Sequence, residues 1–490
     1  MVAIGIDRRE LSARVAKLFF LLLLLTLSVT AADARAETPD RAIQAFIGSE
    51  MPASGAPGLA YAIVDDGRIT VRAYGHVVKG GERKVAPDTP FLLGSISKSF
   101  TAVAVLQLVE AGRVGLDTEI GQYLHQFADR PSGRITVRQL LSHTSGFSTV
   151  QGNAGHQDDS RTTDTLKQRV DRIAQWVPAT TPGTRWEYSN ANYLILGRLV
   201  EVVSGEGYAR YVEDHILKPI GMTDSFVSDG RVHAGMARGH EPWFVTKRAL
   251  PRHATVQAMA PAGGVVASAG DVARYLAVLM NGRDDILSAK IKAAMFRPAT
   301  VQSPYYGFGW FLDPQDGTVF HTGTSPGVET LAVMIPARKK GVVVLVNASS
   351  GIGFGETLPL RNGIAVRALG LPIPQPDGRW FQKFLFVAMA LLPVIFVACM
   401  VWAWFHRREL RAKSGAFGRF SLWFPLIITL GMTVLFYWYF DRFFGVSLAT
   451  LRLYQPDFAM VLEASAMTGV LWAALRLVLA YGDIRGRSDR

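Results

Sequence analysis

Residues 91–98 read FLLGSISK, and a helical pattern of apolar side chains follows them as far as Gly112. Ser95 and Lys98 stand three positions apart where this predicted helix, Ser97–Ala111, begins. Residues at i and i+3 lie on one helix face, so the lysine amine can reach the serine hydroxyl. Because a serine hydroxyl is a weak nucleophile until a base removes its proton, the spacing indicates a serine nucleophile with a lysine partner. A single S-x-x-K match also arises by chance in a chain this long.

Two later segments carry polar groups that could complete such a site. Tyr188 and Asn190 precede a predicted helix, Asn192–Val203. A tyrosine near an ammonium group loses its proton more easily and can act as a base, and an asparagine amide can orient substrate or lysine. A predicted strand ends with residues that could bind an extended substrate and supply an oxyanion donor, namely His321, Thr322, Gly323 and Thr324. Taken alone, each segment also fits an ordinary loop or a buried turn.

The predicted elements alternate between short strands and helices. The turn Asp65–Gly67 joins the first two strands, a hairpin signal. The predicted strands are Leu59–Val64, Arg68–Tyr74, Gly307–Leu312, Thr318–Thr322, Thr330–Ile335 and Val342–Asn347, and the further helices are Asp271–Met280 and Gly355–Leu369. Strands at both ends with helices between them predict an α+β domain whose antiparallel sheet is assembled from both ends.

The N-terminus has the pattern of a secretory signal peptide, residues 1–36. Basic residues precede the uncharged run Leu18–Ala32, and Ala34–Ala36 fits a cleavage site. The run is short for a membrane span, although an uncleaved anchor is the alternative. The sequence therefore predicts an exported serine hydrolase domain at 37–371.

Three apolar stretches follow a Pro-rich linker at 372–380 and predict a transmembrane module at 381–490. They are Phe384–Phe405, Ser421–Phe440 and Phe458–Leu475. Basic residues are concentrated in the connection after the first stretch and in the tail after the third. The positive-inside rule therefore places this connection and the tail in the cytoplasm. The catalytic domain is then expected on the periplasmic side of a bacterial inner membrane. Glu463, inside the third stretch, is either functional or paired with a hydroxyl or Arg476.

The net charge of +12 is concentrated at the chain ends, +2 within residues 1–36 and +7 within 378–490. The middle is nearly neutral, which argues against a nucleic-acid partner. Cys399 is the only cysteine, so disulfides within the chain and cysteine-rich zinc sites are excluded. The histidines His76, His240 and His253 have no metal-ligand spacing. The sequence thus predicts no metal and no cofactor.

Taken in order, the motifs resemble the penicillin-recognising serine hydrolases, and more narrowly the class C beta-lactamase-like branch with its D,D-peptidases, D-aminopeptidases, esterases and beta-lactamases. The resemblance spans roughly residues 40–370. Its segments are FLLGSISK at 91–98, LLSHTSG at 140–146, PGTRWEYSNANYLILGRLVE at 182–201, LKPIGM at 217–222, AGG at 262–264 with Asp271, and YGFGW at 306–310. It implies an antiparallel sheet flanked by helices with an all-helical subdomain.

The resemblance also implies roles for individual residues. Ser95 is the nucleophile, and Lys98 and Tyr188 form the proton-transfer pair, with the identity of the base left open. Asn190 contacts substrate and Lys98, and the backbone N–H groups of Ser95 and Thr324 form an oxyanion hole. The implied reaction is acyl transfer to serine followed by hydrolysis.

Two departures from the family pattern qualify that expectation, at His321 and at Leu92. Leucine stands at 92 where many relatives carry glutamate, which removes a polar contact near the pocket. Histidine stands at 321, where beta-lactamases and many D,D-peptidases have lysine; a histidine is mostly neutral at pH 7 and offers a substrate carboxylate no permanent cation. Beta-lactamase activity is therefore not the leading expectation. His143, within the LLSHTSG segment, is interpreted as structural.

The whole layout resembles the membrane-bound prodrug-activating D-aminoacyl peptidases of nonribosomal peptide pathways. The leading hypothesis is a membrane-anchored serine hydrolase that cleaves an amide or ester, with a D-amino-acid-containing peptide or prodrug precursor as substrate. The alternatives are a D,D-peptidase or a sensor that binds beta-lactam or peptidoglycan, and a transporter subunit. The oligomeric state stays open.

Overall fold

The structure is a computed structural model that describes residues 39–154, 165–231, 233–251, 256–373 and 379–482. The predicted signal peptide, residues 374–378 of the predicted linker and the basic tail after residue 482 lie outside the described residues.

The described chain alternates between strands and helices up to residue 369 and is helical after residue 379. The strands are β1 Gly58–Asp65, β2 Arg68–Gly75, β3 Phe91–Leu92, β4 Phe226–Val227, β5 His240–Trp243, β6 Thr246–Ala249, β7 Val265–Ala267, β8 Phe311–Asp313, β9 Thr318–Ser325, β10 Val328–Ile335 and β11 Lys340–Val346.

The α-helices of the first part are α1 Pro39–Ser54, α2 Ser97–Glu110, α3 Val137–Leu141, α4 Thr149–Asn153, α5 Leu166–Ile173, α6 Asn190–Ser204, α7 Tyr208–Val212, α8 Ala260–Gly263, α9 Ala269–Met280, α10 Ala289–Met295 and α11 Leu358–Leu369. The C-terminal part contains α12 Arg379–Phe405, α13 Arg407–Ala412, α14 Gly415–Phe444, α15 Leu448–Tyr454 and α16 Pro456–Tyr481.

A six-stranded antiparallel sheet unites the two ends of the hydrolase region, in the order β2-β1-β11-β10-β9-β8. The predicted hairpin is confirmed as β1 and β2, with Asp66 and Gly67 in left-handed conformations at its turn. Strand β1 pairs with β11, which comes almost 300 residues later, as in the register Tyr61 to Val344. The expected α+β fold is therefore confirmed.

Both faces of the central strands are buried, which explains their nearly continuous apolar sequences. In β11, Val342 and Val344 pack beneath α1 and α11, whereas Val343 and Leu345 join the core formed with α2 and α9. The alternation follows from the two-residue period of a strand. Helices thus cover the sheet on both sides.

The strand predicted at Gly307–Leu312 is wrong in its first half, because β8 covers only Phe311–Asp313. Gly309 has a φ of +79°, and a Cβ added there would lie 2.9 Å from Ser99 Cα. The segment is therefore a turn pressed against helix α2. Strand β9, in contrast, runs three residues beyond its predicted end at Thr322, to Ser325.

Three C-terminal helices are long and apolar enough to cross a membrane, at Trp380–Phe405, Gly415–Phe443 and Pro456–Tyr481. Each includes one of the predicted stretches. Glu463 pairs with Arg452 of α15, its Oε1 lying 2.5 Å from the arginine Nε, so the partner proposed from sequence, Arg476, is wrong. Arg476 instead donates to the Ser421 carbonyl.

We predict that Asn347→Ala destabilises the hydrolase domain by about 2–4 kcal/mol. The buried amide of Asn347 accepts from Gly58 N–H at 2.8 Å and donates to the His76 and Val77 carbonyls. Its removal leaves buried backbone groups of β1 and the following loop unpaired. Denaturant unfolding of the detergent-solubilised chain measures the loss. The exposed Gln44→Ala in α1 is the control, with an expected change within about 0.5 kcal/mol; equal effects of the two substitutions would contradict the prediction.

Candidate active site

The turn that carries Ser95 is a single 3-10 turn, Gly94–Ile96, between β3 and helix α2. Gly94 has a left-handed φ of +56°. Strand β7 holds the turn on both sides: Leu93 N–H donates to the Val265 carbonyl, and Val265 N–H donates to Ser97 Oγ, each at 2.9 Å. Ser95 is consequently presented at a fixed place while remaining partly accessible.

Lys98 lies directly beneath Ser95, as the i, i+3 spacing predicts. Its Nζ is 3.1 Å from Ser95 Oγ and 2.7 Å from the Ala262 carbonyl of helix α8. The side chain is fully buried, and burial lowers the pKa of Lys98 well below its ordinary value. A charged ammonium is costly to bury without a carboxylate partner, so the neutral amine is favoured. A neutral amine can accept the proton of Ser95.

Tyr188 is the second group at the serine. Its hydroxyl hydrogen-bonds with Ser95, and its ring centroid is 5.0 Å from Lys98 Nζ. Burial raises the pKa of Tyr188 above its ordinary value, and the hydrogen bond to Ser95 opposes this shift only in part. The phenol therefore keeps its proton at neutral pH. This differs from the sequence-based hypothesis in which a nearby ammonium lowers that pKa.

Asn190 is the first residue of helix α6 and is almost fully buried. Its Nδ2 donates to Asn153 Oδ1 of helix α4 at 3.0 Å. Helix α4 also approaches this region through Gly152, where an added Cβ would lie 2.5 Å from Ser189 Oγ. The loop Tyr188–Asn190 is thus held by α4, a contact that the sequence alone did not indicate.

Strand β9 runs at very short distance past the Ser95 turn, Gly94–Ile96. Because β8 pairs only with Thr318–Phe320, the rest of β9 has β10 on one side and the turn on the other. A Cβ added at Gly323 would lie 1.9 Å from the Leu93 carbonyl oxygen, and one added at Gly94 would lie 3.0 Å from Thr324 N. The backbone N–H groups of Ser95 and Thr324 are therefore brought into one small region.

His321 is buried next to these residues and is neutral. Burial is the largest cause of its shifted pKa, which is lowered to about 3. Its Nδ1 donates to the Thr322 carbonyl at 2.7 Å, which leaves Nε2 to accept from the Tyr306 hydroxyl at 3.2 Å. The side chain is thus a hydrogen-bonding group without charge. Thr322 is partly exposed and Thr324 is exposed on the same strand.

Two further side chains, those of Tyr306 and His143, surround Tyr188 and His321, and only His143 was given a role, a structural one, from the sequence. Tyr306 lies in the quoted YGFGW segment, yet its bond to His321 depends on the fold. The His143 ring is centred 4.4 Å from that of Tyr188 and 4.8 Å from that of Tyr306. Its Nδ1 accepts from Ser189 N–H and lies 2.9 Å from Asn192 Nδ2. These contacts position the Tyr188 loop, in agreement with a structural role.

The hydroxyl of Thr324 donates to Glu329 Oε2, which also receives Arg361 Nη1 at 2.9 Å. Both charged side chains of this ion pair are buried. No sequence signal marked Glu329, since a glutamate in an apolar strand has no motif. Within the described ranges, no group of three or more His, Cys, Asp or Glu side chains is placed to hold a metal ion.

Comparisons with known proteins agree with the family resemblance of the sequence motifs. The Beta-lactamase family model matches residues 40–366. The chain is 30% identical over 306 residues to the putative penicillin-binding protein PbpX of Bacillus subtilis (strain 168), a match covering 60% of this chain and 71% of PbpX.

Two solved structures are similar in fold. The octameric penicillin-binding protein homologue from Pyrococcus abyssi superposes with a TM-score of 0.59 at 26% identity, covering 67% of this chain and 77% of that one. The D-amino acid amidase from Ochrobactrum anthropi SV3 gives a TM-score of 0.58 at 25% identity, covering 68% and 97%.

We predict that Gly323→Ala separates β9 from the Ser95 turn. The new methyl group would overlap the Leu93 carbonyl and lie 2.2 Å from Thr330 Oγ1, so the backbone has to move. The expected result is a loss of about 2 kcal/mol or more of stability together with a fall in hydrolytic turnover.

The matched control is Gly48→Ala in helix α1, where nothing lies within 4 Å of the added Cβ. That substitution is expected to be neutral or slightly stabilising. Thermal unfolding and turnover are measured for both variants. Normal turnover in Gly323→Ala would show that the close approach is not required.

Proposed function

This chain belongs to the beta-lactamase family, whose members are serine hydrolases, and we propose that it is a membrane-anchored hydrolase acting through an acyl-enzyme on Ser95. The observation that carries the proposal is the 3.1 Å contact between Ser95 Oγ and the buried amine of Lys98, with the Tyr188 hydroxyl on the same oxygen. The proposed substrates are amides or esters of D-amino-acid-containing peptides, including a prodrug precursor.

In the proposed mechanism, Lys98 is the base and Tyr188 the acid. Ser95 Oγ attacks the substrate carbonyl carbon while its proton passes to the neutral amine of Lys98. The oxyanion is stabilised by the backbone N–H groups of Ser95 and Thr324. Tyr188, which keeps its proton at neutral pH, delivers a proton to the leaving amine or alcohol and is then reprotonated from Lys98. Water then attacks the ester that joins the acyl group to Ser95. With the proton-transfer roles of Lys98 and Tyr188 reversed, this step releases the carboxylic acid and frees the Ser95 hydroxyl.

A neutral His321 favours substrates without a carboxylate at that position. In relatives with lysine there, a permanent cation is available; here the group is an uncharged hydrogen-bonding imidazole. The similarity to a D-amino acid amidase, at 25% identity, is consistent with a neutral amide substrate. A D,D-peptidase or beta-lactam-binding sensor is therefore less well supported than an amidase or esterase.

Membrane anchoring is supported by the three apolar helices. Four basic residues, Arg407, Arg408, Arg411 and Lys413, lie in the connection between the first two of them, and Arg419 lies near the start of the second. By the positive-inside rule this connection is cytoplasmic, which places the hydrolase domain outside. A cleaved signal peptide at 1–36 would give the same orientation. We therefore propose an inner-membrane enzyme with its active site on the periplasmic side.

We predict that Ser95→Ala and Lys98→Met each lower turnover of a D-aminoacyl amide or p-nitrophenyl ester by a factor of about a thousand or more. Each removes one partner of the 3.1 Å contact. Rapid-quench mass spectrometry of the intact chain measures the acyl adduct, which is expected in the wild type and absent in Ser95→Ala. Ser49→Ala on helix α1 is the control serine. An adduct that persists in Ser95→Ala would refute the assignment of the nucleophile.

We further predict that His321→Lys shifts the preference toward substrates that carry a carboxylate, by about tenfold in the ratio of kcat/KM for matched carboxylate and amide substrates. A lysine adds a cation where the wild type has a neutral ring. His321→Gln, which stays neutral, is the control and should leave the ratio unchanged. Because the pKa of His321 is about 3, its imidazole is uncharged above that pH, and the wild-type ratio should stay flat between about pH 5 and 8. A rising ratio toward pH 5 would show instead that His321 becomes charged.

A further inference from the structure

The hairpin formed by β5 and β6 ends in an apolar tip. Trp243 pairs with Thr246, so Phe244 and Val245 form a two-residue turn. Phe244 has a φ of +55°, and Val245 is 77% exposed. Such turns usually carry Asn-Gly or Asp-Gly, which tolerate left-handed conformations and water. Two exposed apolar residues in this turn indicate that it contacts an apolar surface rather than water alone.

The tip lies where two of the apolar helices begin. Phe244 N–H donates to Asp457 Oδ2 at 2.7 Å, and Asp457 is the second residue of α16. The Phe244 ring is centred 6.5 Å from that of Phe386 in α12, which in turn stacks near Phe458 at 6.2 Å. The hairpin is therefore fixed at the level of the N-terminal ends of α12 and α16.

Aromatic and basic side chains accumulate at this level. Trp380, Phe381 and Phe384 are strongly exposed at the start of α12. The Lys383 ammonium lies 5.6 Å from the Trp380 ring centroid, and the Arg248 guanidinium lies 3.7 Å from that of Trp243. Tryptophans with adjacent cations are typical of the interface between hydrocarbon and lipid headgroups. The neighbouring apolar helices thus indicate lipid as the surrounding of the tip.

We propose that the hairpin tip, Trp243–Thr246, is a membrane-contacting element that rests in the headgroup layer of the bilayer crossed by α12, α14 and α16. It holds the hydrolase domain against the membrane in one orientation. The inference rests on the membrane anchoring proposed above but not on the chemistry at Ser95. The tip contacts a lipid surface, because it continues the surface formed by the ends of the apolar helices. A second copy of the chain is the alternative contact partner.

The position of the tip has a consequence for the active site. The segment Ser447–Gln455 joins α14 to α16 at the same level and touches the hydrolase domain, since Gln455 Nε2 donates to the Ser350 carbonyl at 2.5 Å. A negative charge on Tyr454 in this segment would raise the pKa of Tyr188, so the segment lies in the neighbourhood of the active site. With the tip in the headgroup layer, Ser95 would open near that layer, within reach of a substrate whose apolar part stays in the membrane.

The test uses the full chain in liposomes and depends on its single cysteine. Cys399→Ser gives a cysteine-free background, into which Val245→Cys, Phe384→Cys and Val202→Cys are introduced singly and labelled with an environment-sensitive NBD fluorophore. Phe384 lies on α12 and is the membrane reference. Val202 is an exposed apolar residue near the far end of helix α6 and is the solvent reference. Quenching by a lipid that carries a shallow doxyl group is measured, together with quenching by aqueous iodide.

The label at Val245 is expected to show a blue-shifted emission and a loss of intensity with doxyl lipid comparable to that at Phe384. At Val202 only iodide is expected to quench. In preparations in which Phe384 responds to doxyl lipid, a label at Val245 that behaves like Val202 would overturn the proposal. Protection of Val245 from both quenchers would also overturn it, because that result indicates a second copy of the chain. Turnover of a soluble ester in detergent is expected to be unchanged in Val245→Cys, which checks the fold.

Discussion

The backbone of β9 lies so close to the Ser95 turn that a Cβ added at Gly323 or at Gly94 would press the two segments apart. Gly323 has no room for a Cβ beside the Leu93 carbonyl, and that carbonyl also accepts a hydrogen bond from Thr330 Oγ1 at 2.7 Å. The sheet supplies the rigidity behind this contact, because β9 is paired with β10 along its length and β10 with β11. The pairing of strands from distant parts of the chain thus determines the distance between Ser95 and Thr324.

The proposed chemistry at Ser95 depends on the same close packing, since this packing excludes water from beneath the serine. In water Lys98 would be a cation and His321 would titrate near neutrality. Here both are fully enclosed, and burial favours the uncharged form of each. Burial acts in the opposite direction on the Tyr188 phenol and keeps its proton in place. One physical cause therefore favours the neutral amine of Lys98 and the protonated phenol of Tyr188, the states that the proposed base and the proposed acid require.

The sequence was sufficient to predict the fold class, the hairpin of β1 and β2 and the i, i+3 contact of Ser95 with Lys98, because each depends on local periodicity or on a short motif. The strand predicted at Gly307–Leu312 was wrong in its first half, because the contact of this segment with Ser99 arises only in the tertiary structure. The Tyr306 bond to His321 and the Arg452 pair with Glu463 were missed for the same reason. Residue type and spacing do not reveal which distant segments meet.

Glu329 connects the strand beside the serine to the C-terminal helices. Its carboxylate accepts from the Thr324 hydroxyl and from Arg361, and it also receives the backbone N–H of Ser350. The carbonyl of Ser350 in turn accepts from Gln455. A buried carboxylate is stable only while its donors remain in place. The segment that carries Gln455 is therefore linked through Ser350 and Glu329 to the hydroxyl of Thr324, so hydrogen bonds connect the C-terminal helices to the strand beside Ser95.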